Sequence, residues 1–148
     1  MTQTPPGWPR ASSALWYEHA AEAITWLEKA FGFEVRLKVP GEGGKIEHAE
    51  LVFGEAVFMV ADLRPGKQPH RRTPGEVGGA NTQNITVYVD DVDAHLARAS
   101  AAGAKISMEL ATHDYGEEYW TDRGYGCIDI GGHHWWFAER VRTAAPKS

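Results

Sequence analysis

The chain of 148 residues has the length of one ordinary domain, and its 43% hydrophobic and 24% charged residues exclude a disordered protein. A formal net charge of −5, without any block of like charges, argues against nucleic acid as a partner, because phosphate binding needs a concentrated positive surface. The single cysteine excludes an internal disulfide, and no apolar run is long enough to cross a membrane.

The first half of the chain alternates between strand-like and helical patterns. Residues 1–10 contain three prolines and predict a disordered tail, whose lack of a signal peptide's apolar stretch favours a cytoplasmic location. Within residues 11–63, the segment ASSALWY predicts a strand, and apolar residues at helical spacing follow from Glu18 until Gly32 ends the helix. Three further strands follow, FEVRLKVP, KIEHAELVF and EAVFMVAD, with a tight turn at Gly54 between the last two.

The second half repeats this order of elements after a linker. Residues 64–81 are rich in proline and glycine and predict that linker. Residues 82–141 then begin with the strand NITVYVDD, and Asp90 or Asp91 is positioned to cap the helix that follows. A strand, AKISMELA, a long polar and aromatic loop at 112–123 and a final pair of strands complete the unit, and residues 142–148 form a second tail. His19, His95 and His113 are interpreted as exposed helix or loop residues.

An internal repeat is also visible in the residues themselves. A shift of 71 pairs Tyr17 with Tyr88 and Gly32 with Gly103, whereas a shift of 78 pairs Gly54 with Gly132. The seven additional residues are most simply placed in the loop before the last two strands. Two small units that cannot each bury a core alone are expected to form one structural domain.

Four segments resemble the vicinal oxygen chelate superfamily, which includes glyoxalases, extradiol dioxygenases and bleomycin-resistance proteins. They are AAEAITWLEKAFGFEV, HAELVFG, VYVDDVDAHLARASAAGA and DRGYGCIDIGGHHWWF, and in the last of them Ile130 replaces the family's common proline. The resemblance implies an α+β fold with two βαβββ modules in one chain, whose curved mixed sheets surround a cavity. It also implies a homodimer.

The family's metal-dependent enzymes hold a divalent ion through four residues, typically two histidines and two glutamates. Carried over onto this sequence, these positions fall on Ser12 or Ser13, on Glu50, on Asn84 and on Trp136. Only Glu50 is a good ligand, and a cation needs several such donors to replace its water shell. We therefore expect no catalytic metal and no other cofactor, and a divalent ion near His48 and Glu50 is the less favoured alternative.

Strand alternation predicts which side chains face the cavity. Cys127 is expected in the core, and Trp135 on the face opposite Trp136. Stacking of a ligand is assigned to Trp136, Phe58 and Trp16, and orientation of its polar groups to Glu50, His48 and Arg123. The long loop at 112–123 is expected to overhang the cavity mouth and to add its own aromatic and charged residues. The full set of expected ligand-binding residues is Trp16, His48, Glu50, Phe58, Asn84, Tyr88, Tyr119, Trp120, Arg123, His134 and Trp136.

The sequence is compatible with two functions from different classes. The leading hypothesis is a cytoplasmic, homodimeric protein that binds a small molecule without a catalytic metal, with antibiotic sequestration as one candidate role. The alternative is an enzyme of the glyoxalase or dioxygenase type, a lyase, isomerase or oxidoreductase, that uses a variant site at His48 and Glu50. Neither hypothesis involves nucleic acid or a membrane.

Overall fold

A computed structural model describes residues 1–64 and 66–146. The chain divides into two compact units. Unit 1 contains Met1–Ala80 together with Ile130–Gly132, and unit 2 contains Asn81–Asp129 and the chain from His133 onward. No helix among the described residues is both long enough and apolar enough to cross a membrane.

Unit 1 consists of a four-stranded sheet and one helix. The sheet order is β1-β4-β3-β2, with β1 parallel to β4 and the other neighbours antiparallel. Two short 3-10 turns lie outside the sheet, at Glu42–Gly44 and Pro74–Val77. The elements are β1 (Ser13–Tyr17), α1 (Ala20–Phe31), β2 (Glu34–Pro40), β3 (Ile46–Phe53) and β4 (Ala56–Asp62).

Unit 2 repeats this topology. Its sheet order is β5-β8-β7-β6, again with one parallel pair, β5 with β8. The α+β prediction and the two βαβββ modules are therefore confirmed. The elements are β5 (Ile85–Tyr88), α2 (Val92–Ala101), β6 (Lys105–Asp114), β7 (Thr121–Ile128) and β8 (His134–Arg142).

In each unit, a carboxylate from the last strand accepts a hydrogen bond from the first turn of the helix. The buried Asp62 on β4 accepts from the amide of Ala20 at 3.1 Å and, through its other oxygen, from the amide of Ile46 at 2.6 Å. Glu139 on β8 accepts from the amide of Val92 at 3.1 Å. These carboxylates satisfy helix N–H groups that have no partner within the helix, so each helix is held by its own sheet.

The helix ends follow the sequence signals. Gly32 adopts φ 76°, the left-handed conformation that glycine enters without steric cost, and ends α1 as predicted. Asp91, rather than Asp90, caps α2, because its side chain accepts from the amide of Ala94 at 3.0 Å.

The prediction that His95 is exposed is wrong. It lies on the buried face of α2 with 9% exposure, and its Nδ1 atom is 2.7 Å from the hydroxyl of Tyr125. Its ring also contacts Phe137 at 4.2 Å. A buried histidine is tolerated here because the phenol gives it a hydrogen-bond partner.

Half of the predicted long loop at 112–123 is strand. β6 continues to Asp114 and β7 begins at Thr121, so that only 115–120 connects them. Polar and aromatic residues therefore extend a hairpin, and His113 lies on a strand rather than on an exposed loop or helix.

Two stretches predicted as tail or linker make specific contacts within unit 1. In the 1–10 stretch, the ring of Trp8 lies 4.7 Å from the guanidinium of Arg36. In the 64–81 stretch, Thr73 is only 2% exposed and forms a capping box with Glu76 at the Pro74–Val77 turn.

Candidate functional site in unit 2

One face of the unit 2 sheet packs against α2, and the opposite face, which we call the open face of unit 2, carries the candidate site. Strand pairing places Tyr125 and Phe137 on the α2 side, where both are buried. The alternating positions Thr86 and Trp136 are paired on the open face, and Trp136 is also paired with Gly126. Trp135 and Trp136 thus lie on opposite faces, as their adjacency predicts.

A depression of about 610 Å³ lies on this open face. Its volume is in the range of small-molecule pockets. The lining combines aromatic, amide and hydroxyl side chains and contains no Asp, Glu, Lys or Arg. The lining residues are Asn81, Asn84, Thr86, Ser107, Met108, His113, Tyr115, Gly126, His134, Trp135 and Trp136.

The indole of Trp136 lies against β7 at a position where only glycine fits. A Cβ atom built on Gly124 would lie 2.6 Å from Cζ2 and 2.9 Å from Cε2 of Trp136, and 2.9 Å from the carbonyl oxygen of Phe137. The lack of a side chain at Gly124 therefore lets the indole approach the backbone of the neighbouring strand. This contact fixes one aromatic wall of the depression.

His113 contributes a second aromatic group. Its ring centroid is 5.7 Å from that of Trp136 and 6.5 Å from that of Tyr115. Among the described residues, the Nε2 atom of His113 is buried without a hydrogen-bond partner. An unpaired buried polar atom is uncommon and calls for an explanation such as a missing partner.

Two asparagines line the depression at the start of β5. The side-chain amide of Asn81 donates to the carbonyl of Gln83 and to Oδ1 of Asn84, each at 2.7 Å. Because Nδ2 of Asn81 makes both bonds, the orientations of both amides are defined.

A charged cluster on the same sheet is internally neutralised. Nε of Arg140 donates to the buried carboxylate of Asp122 at 2.5 Å, and Arg140 also contacts the hydroxyl of Tyr88. The guanidinium lies 5.1 Å from the ring of Tyr88 and 4.9 Å from that of Trp120. Burial, followed by the hydrogen bond to Asp122, raises the pKa of Tyr88 above its usual value. Arg140 thus holds Trp120, in the segment 115–120 between β6 and β7, against the sheet.

In unit 1, the predicted polar residues form a compact ion-paired group. Glu50 accepts from Arg36 through Oε1, with Nε at 3.0 Å and Nη2 at 2.9 Å, and its Oε2 lies 2.9 Å from Nε2 of His48. The hydrogen bond with His48 lowers the pKa of Glu50, burial acts in the opposite direction, and Arg36 adds to the lowering. Both oxygens of the carboxylate are therefore already engaged.

Trp16, on β1, also has a cation beside it. The guanidinium of Arg71, from the stretch predicted as a linker, lies 4.1 Å from the centre of the Trp16 ring. This is the geometry of a cation–π interaction. Part of the indole surface that we expected to stack on a ligand is thus in contact with the chain's own arginine.

Two expected ligand-binding residues lie on the wrong side of their sheet. Phe58 is paired with Leu51 rather than with Glu50, and its ring stacks on Phe33 at 5.0 Å within the buried core of unit 1. Arg123 is paired with Glu139 and binds Asp93 of α2, with Nε at 3.0 Å and Nη2 at 2.9 Å. The prediction that Arg123 lies beside the cavity is therefore wrong.

The remaining expected residues fall into two groups. Asn84, His134 and Trp136 line the depression. Tyr88 and Trp120 belong to the Arg140 cluster, with 50% and 39% exposure, and Tyr119 packs edge-on against Trp120.

Besides polar side chains such as Asn81, sequence reasoning missed the aromatic and sulfur-containing side chains of the depression, Met108, His113 and Tyr115. The first is displaced by irregular pairing, because the register between β6 and β7 shifts on both sides of Met108. The other two belong to the hairpin extension that the sequence predicted as loop. The only sequence signal that could have indicated them was their residue type, aromatic or sulfur-containing, on the segment that precedes the final strand pair.

The donors at the family's four metal positions do not fit a divalent ion. Ser12 or Ser13 and Asn84 offer neutral oxygen ligands, and Trp136 offers no lone pair to a metal. The fourth, Glu50, would have to give up its contacts with Arg36 and His48. Within the described residues there is no group of three or more His, Cys, Asp or Glu side chains that could hold a metal ion.

Known proteins resemble the chain along most of its length. The protein named "Uncharacterized protein Mb0911c" from Mycobacterium bovis is 37% identical over 139 residues, which is 90% of this chain and 85% of that protein. The crystal structure of TioX from Micromonospora sp. ML1 superimposes with a TM-score of 0.66 at 30% identity, covering 95% of this chain and all of TioX.

More distant structures share the fold alone. The fosfomycin resistance protein FosX from Listeria monocytogenes, in complex with Mn(II) and 1S,2S-dihydroxypropylphosphonic acid, is 13% identical with a TM-score of 0.57. That match covers 91% of this chain and 90% of FosX. The family model described as Glyoxalase/Bleomycin resistance protein/Dioxygenase superfamily matches residues 11–137. The chain therefore belongs to the glyoxalase/bleomycin resistance protein/dioxygenase superfamily.

Proposed function

We propose that this protein binds an organic small molecule on the open face of unit 2 and does so without a catalytic metal. The observation that carries the proposal is the depression at Trp136, where an indole rests against Gly124. Aromatic side chains there offer a flat surface for stacking, and burial of apolar area stabilises a complex by about 25 cal/mol per Å². A few amide and hydroxyl groups would orient the ligand, as in typical small-molecule sites.

The metal-free part of this proposal is supported by the chemistry of the donors. Three of the four positions used by metal-dependent relatives carry serine, asparagine and tryptophan, and the fourth carboxylate is ion-paired. A serine, an amide and an indole do not replace two imidazoles and a carboxylate around a divalent ion. Antibiotic sequestration remains one candidate role, since the description of the matching family model includes bleomycin resistance proteins.

The rival function is a glyoxalase- or dioxygenase-type enzyme that uses His48 and Glu50. These side chains do form a hydrogen-bonded pair. However, a general base needs an accessible lone pair and a pKa near the working pH, whereas Glu50 is engaged through both oxygens and has a lowered pKa. The pair therefore favours a structural role, in which Glu50 holds Arg36 in place.

A thermal-shift screen separates the two functions. The protein is heated with aromatic antibiotics, with methylglyoxal–thiol adducts and with divalent metals, and a ligand at 100 times its Kd adds about 2.7 kcal/mol of stability. We expect stabilisation by an organic compound in metal-free buffer, lost in Trp136→Ala and kept in Glu50→Gln. Stabilisation by metals that is lost in Glu50→Gln would refute the proposal in favour of the enzyme.

The homodimer and the cytoplasmic location remain predictions. Sedimentation velocity of the purified protein, with and without the ligand found in the screen, tests the dimer. Fractionation of cells that express the full chain tests the location.

A further inference from the structure

We infer that the ligand of the unit 2 depression is an uncharged, planar aromatic molecule that carries an amide or a similar donor–acceptor group. This inference rests on the proposed function, namely that the depression binds a small molecule.

The lining holds no carboxylate, ammonium or guanidinium group, and its titratable side chains are the imidazoles of His113 and His134 and the phenol of Tyr115. On the same sheet, Asp122 and Arg140 are paired with each other through Nε at 2.5 Å. A cation brought against Trp136 would lose water without meeting a carboxylate, and an anion would find only an imidazole as a titratable partner, so a neutral group is favoured over both.

The shape of the floor favours a planar group. Neither Gly124 nor Gly126 projects a side chain from β7, and the indole of Trp136 fills the space above Gly124. The ring of His113 lies 5.7 Å from that of Trp136, and the ring of Tyr115 lies 6.5 Å from that of His113, centroid to centroid. Offset stacking of flat rings uses such a surface well.

The asparagine pair supplies the polar end. Since Nδ2 of Asn81 is committed to Gln83 and Asn84, the Oδ1 atom of Asn81 and the Nδ2 atom of Asn84 keep no protein partner among the described residues. One free acceptor and one free donor match the two groups of a carboxamide or a lactam.

Three isosteric probes test the charge directly. 2-Naphthamide, 2-naphthoate and 2-naphthamidine have the same flat ring system and nearly the same shape, and they are neutral, anionic and cationic at pH 7. Their dissociation constants are measured by following the indole N–H signals of the protein by NMR, with the Trp136 signal assigned from Trp136→Phe. We expect the neutral amide to bind at least about tenfold more tightly than either ion, because only the ions lose hydration without compensation.

Variants test the residues. Asn84→Ala is expected to weaken binding of 2-naphthamide about fivefold, the usual value of one hydrogen bond, and Asn84→Asp to shift the preference toward 2-naphthamidine. Trp136→Ala is expected to abolish binding of all three probes. Trp26→Ala, which removes an indole from α1 in unit 1, is the matched control and should leave the affinities unchanged.

The possible failures can be told apart. If either ion binds as tightly as the amide in a Trp136-dependent manner, the inference about charge is refuted and the proposed function stands. The same holds if none of the three probes binds while the broader screen yields a Trp136-dependent ligand of another class. If no compound in either experiment depends on Trp136, both the inference and the proposed function are refuted.

Discussion

Replacement of Gly124 by alanine tests the central contact of the site. The new methyl group would lie 2.6 Å and 2.9 Å from two carbons of the Trp136 indole and 2.9 Å from the carbonyl oxygen of Phe137. Overpacking of this kind costs about 1–3 kcal/mol, whereas removal of a glycine from a strand returns about 0.5–1 kcal/mol. We therefore expect Gly124→Ala to lower the free energy of unfolding by about 1–2 kcal/mol, which is a drop in Tm of about 2–8 °C for a chain of this size.

A double-mutant cycle assigns that cost to the indole. In a Trp136→Ala background, both ring contacts are absent, so Gly124→Ala should cost about 1 kcal/mol less than in the native protein. Unfolding in urea followed by far-ultraviolet circular dichroism measures this without relying on tryptophan fluorescence. Gly126→Ala is the control for the indole contact, because its methyl group would lie nearest to Oγ of Ser107 at 3.0 Å and to Cβ and Cγ of Met108 at 3.2 and 3.4 Å, and not to Trp136. An equal cost of Gly124→Ala in both backgrounds would refute the proposed packing.

Three further predictions concern other parts of the chain. Asp62→Ala should cost about 2–4 kcal/mol in urea unfolding, because two backbone N–H groups lose a buried acceptor, and Asp62→Asn should cost less; equal, negligible costs would contradict this role. Because the pKa of Glu50 is lowered from its usual value of 4.5, its ion pairs stabilise the fold above pH 4.5, and this contribution is lost as the pH falls through the lowered pKa. Glu50→Gln should therefore flatten the acid limb of a curve of unfolding free energy against pH, and an unchanged limb would contradict this role. Burial raises the pKa of the Cys127 thiol to about 12, so a thiol reagent should modify Cys127 only as fast as the protein opens, and rapid labelling of the folded protein would contradict its burial.

The elements were predictable from the sequence because their signals are local. Helical spacing and the glycine at 32 define α1, and an aspartate caps α2. Alternation also separated Trp135 from Trp136 correctly. These features depend on periodicity and on capping chemistry that a few neighbouring residues determine.

The site was harder to predict because strand register depends on distant pairing. Phe58 was assigned to the cavity, but its partner Leu51 places it in the core, and a shift of one residue reverses the face of a strand. Arg123 was assigned to a loop over the cavity, but it lies on β7, where it binds Asp93 of α2. His113 was missed because the hairpin of β6 and β7 continues beyond the point where its sequence stops alternating, with register shifts on both sides of Met108.

The carboxylates that hold the two helices have a consequence for how this fold can be rearranged. Asp62 and Ala20 belong to one unit, and Glu139 and Val92 belong to the other, so the carboxylate that binds each helix comes from the same unit as the helix. Each βαβββ module therefore contains the carboxylate that holds its own helix. A circular permutation that cuts the chain between the modules, or an exchange of modules between two chains, would leave both anchors intact.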